Sequence, residues 1–438
     1  MGDSFSQGLE EEQAMTASEK VIQDVLLSAS DYFDLTEAAH QHKLLKLANT
    51  LYCLKDISIE RYQEIAAQPN CPLEFRLAVK LVESRRYLLS VTKPLTVGVV
   101  FAMWGEHNRL NEKSVSNPNG EDSLRVKIEQ LNWVTQGTVV DWQLYPVDDG
   151  CPHNSFAIAQ NIAKSSVNAS QVTVLNLAQV LPTQEGPLKG LASADDSRKG
   201  GAIIYGCQTA LKDGVDCVMY TDADNSVHLG QLGLLLKPYL ADKQQVVLGN
   251  RKHPDSILVK QEERWGVGIK TLRHMQRMIG KDIFSKGIKD TQAAFKLYGK
   301  DVLKQIIAKP TVYDFSFDTD WILAAMEMKQ PIATVPFAFI DSAAESASVV
   351  QGPMTTWYTL LDGLVKAVRA RHADYNIEMA DIFDQQVGSH EDLEAIINDL
   401  PPELVDATDA DLGDPQLMSP KAVRAWLVEM KQPQEVTQ

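Results

Sequence analysis

The sequence predicts an α/β fold with a mostly parallel central sheet that is covered by helices on both faces. Short apolar runs rich in β-branched residues alternate with stretches of helical periodicity along residues 93–350, and such alternation is typical of a parallel sheet. The runs are continuously apolar, which indicates strands buried on both faces. The predicted strands are 95–101, 139–147, 172–177, 217–220 and 246–251.

Helical segments are expected on either side of this α/β region. Residues 1–15 are polar and expected to be disordered, whereas apolar residues recur at helical spacing through 16–92. A helical cap or a partner-binding domain is the simplest interpretation of that stretch, because it carries no catalytic constellation. We expect 351–380 to form a helix that packs on the core, and 381–438 to be an acidic extension with one short helix at 420–430.

The composition excludes several classes of protein. The net charge of −16 argues against nucleic acid as the main partner, because phosphate backbones are bound by clustered Lys and Arg. The five cysteines are odd in number and contain no C-x-x-C pair, so neither a disulfide framework nor a zinc site is expected. The acidic N-terminus does not resemble a secretory signal, and no apolar run approaches the ~20 residues that span a bilayer. We therefore expect a cytoplasmic protein, soluble or peripheral to a membrane.

The stretch that carries the chemistry follows the predicted strand 217–220. Asp222 and Asp224 flank one small residue at the carboxyl end of this strand, where open α/β sheets bind their ligands. Carboxylate oxygens suit Mg²⁺, which keeps coordination positions for substrate phosphates. For an isolated Asp-x-Asp, an acidic surface turn is the more common explanation.

Other polar motifs follow neighbouring strands and strengthen the prediction of a site. Asp148-Asp149, Lys199-Gly200-Gly201 and Arg251 should meet Asp222 and Asp224 at one edge of the sheet, because right-handed crossovers bring these loops together. Each motif alone has a simpler explanation as a turn, a helix start or a surface cation. Together they predict a site for a charged, phosphate-bearing ligand.

The order of these motifs resembles inverting glycosyltransferases of family 2, which have the GT-A fold, and most closely the dolichyl-phosphate glucosyltransferase branch. The resemblance covers roughly residues 95–350. It rests on Val147-Asp148-Asp149-Gly150, Lys199-Gly200-Gly201-Ala202, Thr221-Asp222-Ala223-Asp224, Gly249-Asn250-Arg251, the run Lys286–Lys296, Phe315-Ser316-Phe317-Asp318 and Glu345-Ser346.

The resemblance implies a nucleotide-diphosphate sugar as donor and a hexose as the group transferred. Asp149 would contact the nucleobase, with Lys199 and Gly200 beside it. Asp222 and Asp224 would hold Mg²⁺ or Mn²⁺ on the donor diphosphate, and Arg251 would face a phosphate. The segment after the first strand departs from the family's Pro-x-Tyr-Asn-Glu pattern and keeps only Glu106 as a donor-binding candidate, which leaves the nucleobase open.

Two carboxylates are candidates for the acceptor side of the reaction. By resemblance, Asp290 would take the acceptor proton as general base, and Asp318 is the competing candidate. A helix cap is the alternative role for Asp290. Asp320 is expected to be a surface neighbour of Asp318.

A cluster of cations suggests the nature of the acceptor. Residues 257–281 combine six Lys or Arg with apolar residues and predict a basic amphipathic helix in an acidic chain. Such a helix could face a phosphorylated acceptor, lie on an anionic membrane, or be a lid with a solvated basic face.

Two other functional classes remain open. A sugar-phosphate nucleotidyltransferase would share the sheet, but its Gly-x-Arg loop is missing at Trp104–His107. A non-catalytic nucleotide-sugar sensor would bind donor without turnover. The sugar, the acceptor, the stereochemical outcome and the oligomeric state are not predicted.

Overall fold

The structure is a computed structural model, and it describes residues 16–260, 266–342 and 352–431. Four N-terminal helices come first. They are α1 Ala17–Ser28, α2 Ala38–Cys53, α3 Ile59–Ala66 and α4 Leu73–Ser90.

The central region alternates strands and helices. Its elements are β1 Leu95–Met103, α5 Ser123–Thr135, β2 Val140–Asp148, α6 Ser155–Ser165, β3 Leu175–Asn176, α7 Gly200–Lys212, β4 Cys217–Thr221, α8 Leu232–Ala241, β5 Val246–Gly249, β6 Ile257–Val259, α9 Ile269–Ile279, α10 Lys281–Ser285, β7 Phe295–Gly299, α11 Lys300–Ile307, α12 Phe317–Glu327, β8 Ile332–Val335 and β9 Ala338–Ile340. Four more helices follow. They are α13 Pro353–Ala370, α14 Ile377–Gln386, α15 His390–Glu394 and α16 Pro420–Met430.

The main sheet confirms the predicted fold class and adds two strands, β7 and β8, that the sequence analysis missed. Its seven strands lie in the order β3-β2-β1-β4-β7-β5-β8, and β6 and β9 form a separate pair. Every neighbouring pair is parallel except those of β7, which runs antiparallel to both β4 and β5. The third predicted strand is shorter than expected, because only Leu175–Asn176 pairs as a strand and Val172 forms a single bridge to Leu144.

Two apolar cores lie on the opposite faces of this sheet. One contains side chains of α1–α4, α5 and α8, and the other contains side chains of α7, α9, α12 and the C-terminal helices. The N-terminal helices are therefore part of the same core as the sheet. At their closest approach, Gly233 of α8 lies against Ser84 of α4, where an added Cβ would meet the Ser84 carbonyl oxygen at 2.2 Å.

The predicted basic helix over 257–281 is wrong in its extent. Residues 257–259 form strand β6, paired with β9, and the helix begins only at Ile269. Gly266 and Gly268 separate the two elements and lie against backbone carbonyls of Ile396 and Ile397, and glycine is a poor helix former.

Some expectations fall on residues that the structure does not describe. They are the disorder of residues 1–15, the cations and aromatic ring at Arg264 and Trp265, and the acidic motif Glu345-Ser346; all lie outside the described residues. Within the described ranges, no helix combines the length and apolarity needed to cross a bilayer.

Candidate active site

The predicted site residues gather at the edge where the parallel strands end. Asp148 is the last residue of β2, and Asp222 directly follows β4. Arg251 lies two residues beyond the end of β5. Strand β7 runs the other way and pairs Phe295 with Thr221. Its first residues therefore reach this same edge, together with Asp290 just before them.

Asp149 organises the start of α7. Its backbone N–H donates to the carbonyl of Met103 at 3.0 Å, and its Oδ2 accepts from the backbone N–H of Lys199 at 2.6 Å. Burial raises the pKa of Asp149 to about 7. Lys199 has a φ of 86°, a left-handed conformation that is uncommon outside glycine. The carboxylate thus fixes the backbone turn from which Lys199 extends.

The two glycines after Lys199 are explained by a close approach of backbone. A Cβ on Gly200 would meet the carbonyl oxygen of Tyr313 at 2.6 Å, and the N–H of Gly201 donates to that same oxygen at 3.0 Å. The sequence analysis placed these glycines in a site for a phosphate-bearing ligand. The amide of Gly201 is instead engaged within the protein.

Asp222 and Asp224 differ in their contacts. Lys199 Nζ donates to Asp222 Oδ1 at 2.5 Å. Burial works against ionisation of Asp222, but the charges of Lys199, Arg251 and Lys127 outweigh it and lower its pKa. Asp224 accepts the backbone N–H of Ser226 on Oδ1 at 3.0 Å, and its Oδ2 has no hydrogen-bond partner among the described residues.

These two carboxylates fit a metal that completes its shell with substrate. Within the described ranges, no three His, Cys, Asp or Glu side chains come together as a metal cluster. Mg²⁺ commonly takes one or two protein carboxylates and fills its other positions with water and phosphate oxygens. Asp222 is 32% exposed and Asp224 has an unengaged oxygen, so such a metal would have ligands on both residues.

A buried network supports the loop that carries these aspartates. Glu121 Oε2 accepts the N–H of Asn225 at 2.7 Å, directly after Asp224. Arg109 lies between Glu106 Oε2, at 2.9 Å, and Glu121 Oε1, at 3.6 Å. Burial raises the pKa of Glu106 to about 7. Glu106, expected to bind donor, is placed by its contacts in this supporting network.

Lys127 is the second support that the sequence analysis missed. Its fully buried side chain donates to the backbone carbonyl of Asp224. The signal was present in the sequence, because Lys127 lies at helical spacing with Leu124 and Leu131 on the buried face of α5. A lysine in that position needs a specific polar partner.

Arg251 and Asp290 form a tightly bonded pair. Asp290 Oδ2 accepts from the backbone N–H of Arg251 at 2.8 Å and from its Nε at 2.9 Å, and Oδ1 accepts from Nη2 at 2.8 Å. Burial alone would raise the pKa of Asp290, but Arg251 outweighs it and brings the pKa to about 2. Asp290 is therefore ionised at neutral pH, and its two oxygens fix the orientation of the Arg251 guanidinium.

The pKa of Asp318 is shifted in the direction opposite to that of Asp290. Lys296 Nζ donates to Asp318 Oδ1 at 2.8 Å and to the carbonyl of Ala293 at 2.6 Å, and the side chains are 0% and 4% exposed. Burial raises the pKa of Asp318 and lowers that of Lys296. Lys199 also acts on Asp318, so this pair adjoins the lysine bound to Asp222. Lys296 was not among the predicted site residues.

Asp320 is not at the surface, and that expectation is wrong. Its side chain is completely buried, accepts from Arg371 Nε at 2.8 Å and accepts the N–H of Thr311 at 3.1 Å. The arginine lies just beyond the end of α13. Asp320 therefore ties α12 to the C-terminal helices, a partner too distant in sequence to be inferred from local pattern.

An aromatic cluster flanks Asp149 at the ends of β1 and β2. The ring centroids of His107 and His153 are 4.9 Å apart, and those of Trp104 and His153 are 6.5 Å apart. Trp104 and His107 belong to the segment after β1, and His153 to the segment after β2. Trp104 directly follows Met103, whose carbonyl accepts the backbone N–H of Asp149.

A comparison with protein families finds a match over the part of the chain that carries most of these residues. Residues 119–307 match the family model described as glycosyl transferase family 2. The range includes Asp149, Lys199, Asp222, Asp224 and Arg251.

Two curated relatives are dolichyl-phosphate beta-glucosyltransferases of Trichomonas vaginalis. One is 25% identical over 203 residues, which cover 44% of this chain and 52% of the relative. The other is 28% identical over 145 residues, which cover 31% of this chain and 41% of the relative. The chain thus spans about half the length of the curated relatives it matches.

Among solved structures, the chain resembles glucosyl-3-phosphoglycerate synthase from Mycobacterium tuberculosis. The complex of that protein with Mn²⁺, uridine diphosphate and glucosyl-3-phosphoglycerate aligns at a TM-score of 0.42 and 14% identity, covering 66% of this chain and 83% of that one. A second structure of the same synthase aligns at a TM-score of 0.43 with 14% identity, covering 66% of this chain and 84% of the other.

Proposed function

Because residues 119–307 form a glycosyl transferase family 2 domain, we propose that the protein moves a hexose from a nucleotide-diphosphate sugar to a phosphate-bearing acceptor with the help of a divalent metal. One observation carries the proposal. Asp222 and Asp224 follow β4 at the edge where Lys199 and Arg251 also lie. Carboxylates for a metal and cations for phosphates are thus combined in one crevice.

The donor is proposed to lie along the ends of β1, β2 and β4. The base contacts the cluster of Trp104, His107 and His153 beside Asp149. The diphosphate lies at Asp222 and Asp224, where bound Mg²⁺ or Mn²⁺ would neutralise charge on the leaving group. Lys199, already within hydrogen-bond distance of Asp222, adds a fixed positive charge at the same place.

In the proposed reaction, an acceptor oxygen attacks C1 of the sugar. The bond from C1 to the donor phosphate breaks, and the nucleoside diphosphate leaves with the electron pair. Lys199 stabilises the negative charge that develops on this leaving group. Arg251, oriented by Asp290, is available to hold the phosphate of the acceptor.

Whether the acceptor must lose a proton decides if one of the two carboxylates acts as a base. A phosphate monoester has a second pKa of about 6 and is already ionised at neutral pH, so a phosphate oxygen needs no base. A hydroxyl acceptor needs one. Asp290 has a pKa of about 2 because of Arg251, whereas burial raises the pKa of Asp318. We therefore propose Asp318 as the base for a hydroxyl, with Asp290 as the positioning residue of Arg251.

The curated relatives support the choice of acceptor. Their names give dolichyl phosphate as the substrate, a phosphate-bearing lipid. The same chemistry is proposed here at the level of the phosphate group.

Incubation with a panel of nucleotide sugars and phosphate-bearing acceptors tests the proposal. We expect release of nucleoside diphosphate with at least one donor in Mg²⁺ or Mn²⁺, and no release after chelation. Release of pyrophosphate from a nucleoside triphosphate and a sugar phosphate would instead indicate a nucleotidyltransferase. Binding of donor without any release would indicate a sensor.

A further inference from the structure

The basic face of α9 is covered by the acidic C-terminal segment, here defined as residues 404–418. Arg277 donates through Nη2 to Asp409 Oδ2 at 2.6 Å and through Nη1 to the carbonyl of Asp409. Lys270 Nζ donates to the carbonyl of Val405 at 2.8 Å. The cations expected to face solvent or an acceptor are thus partly engaged within the chain.

The segment is fixed on α9 by its backbone as well. The N–H of Gly413 donates to His274 Nδ1 at 2.9 Å, and the other ring nitrogen lies 2.9 Å from the carbonyl of Met418. Gly413 has a φ of 92°, and a Cβ there would meet the Cβ of Arg277 at 2.5 Å. This close approach places Asp409 against the guanidinium.

Asp409 faces more than one cation. Partial burial opposes ionisation of Asp409, but the hydrogen bond from Arg277 and the charges of Lys252, Arg277 and Arg273 lower its pKa. Arg277 contacts Asp409 directly, Arg273 lies one turn before Arg277 on α9, and Lys252 acts on the carboxylate through its charge, so this cluster has an excess of two positive charges. The side chains of Lys252 and Arg273 make no hydrogen bond or ion pair with any residue that the structure describes.

This cluster adjoins the candidate active site. Lys252 follows Arg251, whose guanidinium is bonded to Asp290. Both Asp409 and Asp290 act electrostatically on the ammonium of Lys252, so this lysine is close enough to both carboxylates to interact with them. An anion held by the cluster would therefore be next to the arginine proposed to meet the acceptor.

We propose that Lys252, Arg273 and Arg277 bind the phosphate group of the acceptor, and that Asp409 of the C-terminal segment competes with this phosphate for the same cations. The inference rests on the proposed function, and it adds a site and an intramolecular competitor. A phosphate monoester carries up to two negative charges, which match the excess charge of the cluster. Its charge exceeds that of one carboxylate, so it can displace Asp409 from Arg277.

Calorimetric titration with glycerol 3-phosphate tests the proposal without turnover. Asp409→Asn should tighten binding about two- to fivefold, because the side chain of Asp409 is 48% exposed and such a carboxylate is a modest competitor. Arg273→Gln should weaken binding, both alone and combined with Asp409→Asn. Because Arg273 has no bonded partner among the described residues, its removal leaves no buried charge unpaired and is informative even if Asp409→Asn fails to fold.

Matched controls remove the same charges elsewhere. Asp406→Asn changes an exposed carboxylate of the same segment, and Arg424→Gln changes an exposed arginine of α16. Both should bind glycerol 3-phosphate like the wild type. If Asp409→Asn behaves like Asp406→Asn, or Arg273→Gln behaves like Arg424→Gln, the proposal is overturned.

Flotation with phosphatidylcholine vesicles, with and without phosphatidic acid, separates a lipid phosphate from a soluble one. Binding to either phosphate source that depends on Arg273 supports the site, and binding to neither overturns it. Release of nucleoside diphosphate from donor alone reports separately on the proposed function. Normal release with no effect of the Arg273 variant on phosphate binding would reject only this inference.

Discussion

Replacing Arg251 should show how much its ion pair with Asp290 contributes to the stability of the protein. In the wild type, Arg251 brings the pKa of Asp290 from 3.8 to about 2. At 1.36 kcal/mol for each tenfold change, this difference corresponds to a net stabilisation of the ionised carboxylate by about 2 kcal/mol, after the cost of its burial. The side chain of Asp290 is only 4% exposed. Arg251→Gln therefore leaves a buried carboxylate without its cation, and such losses typically cost about 3–5 kcal/mol.

The sign of the pH dependence follows from these pKa values. Because the folded-state pKa of Asp290 is depressed, its contribution to wild-type stability is present above 3.8 and lost as the pH falls towards about 2. In Arg251→Gln, only the backbone N–H of residue 251 and the charge of Lys296 still oppose the effect of burial, so the pKa of Asp290 should rise. The variant should then regain stability relative to the wild type as the pH is lowered from neutral and Asp290 takes up a proton.

Urea unfolding of the variants measures these effects. At pH 7 we expect Arg251→Gln to lose about 3–5 kcal/mol of unfolding free energy, and the added change Asp290→Asn to recover part of it. Arg61→Gln is the control, because its pair with Glu64 is exposed, at 54% and 64%, and should contribute less than about 1 kcal/mol. A loss for Arg251→Gln as small as that of Arg61→Gln, or one independent of pH, would refute the reasoning.

Two further predictions concern the acceptor side and the join between helices. With a hydroxyl acceptor, Asp318→Asn should lower the transfer rate about 10²–10⁴-fold without changing the affinity for the donor. Asp290→Asn should mainly raise the KM for the acceptor. If steady-state kinetics show the reverse, the roles of the two residues are exchanged. Gly233→Ala should destabilise the protein by about 1–3 kcal/mol, because the new Cβ would meet the Ser84 carbonyl oxygen at 2.2 Å; thermal unfolding measures the loss, and an unchanged Tm would contradict this close approach.

The parallel part of the fold was predictable because its signals are local. Continuous apolar runs such as 95–101 and 217–220 can be identified from the sequence pattern alone, and they lie in strands β1 and β4. Strand β7 was missed as a strand, because Phe295–Gly299 carries a lysine as its second residue. That lysine is Lys296, and only the tertiary structure shows that its charge meets Asp318 in the core.

The sequence predicted which residues form the candidate site better than it predicted the contacts between them. Asp149, Lys199 and Asp222 were expected at one edge, and they are linked there by hydrogen bonds. The partners of Arg277 and Asp320 lie 132 and 51 residues away in sequence. No local periodicity encodes such pairings, so the basic helix and the surface aspartate were misread for the same reason.

Titration calorimetry of nucleoside diphosphates with Mg²⁺ or Mn²⁺ tests the central claim most directly. The account predicts that the wild type binds at least one nucleoside diphosphate only with metal, and that Asp224→Asn weakens this binding by at least about tenfold, equivalent to ~1.4 kcal/mol. Asp242→Asn, an exposed residue at the end of α8, should bind like the wild type. Equal affinity of Asp224→Asn and the wild type, or wild-type binding that does not need metal, would contradict the account.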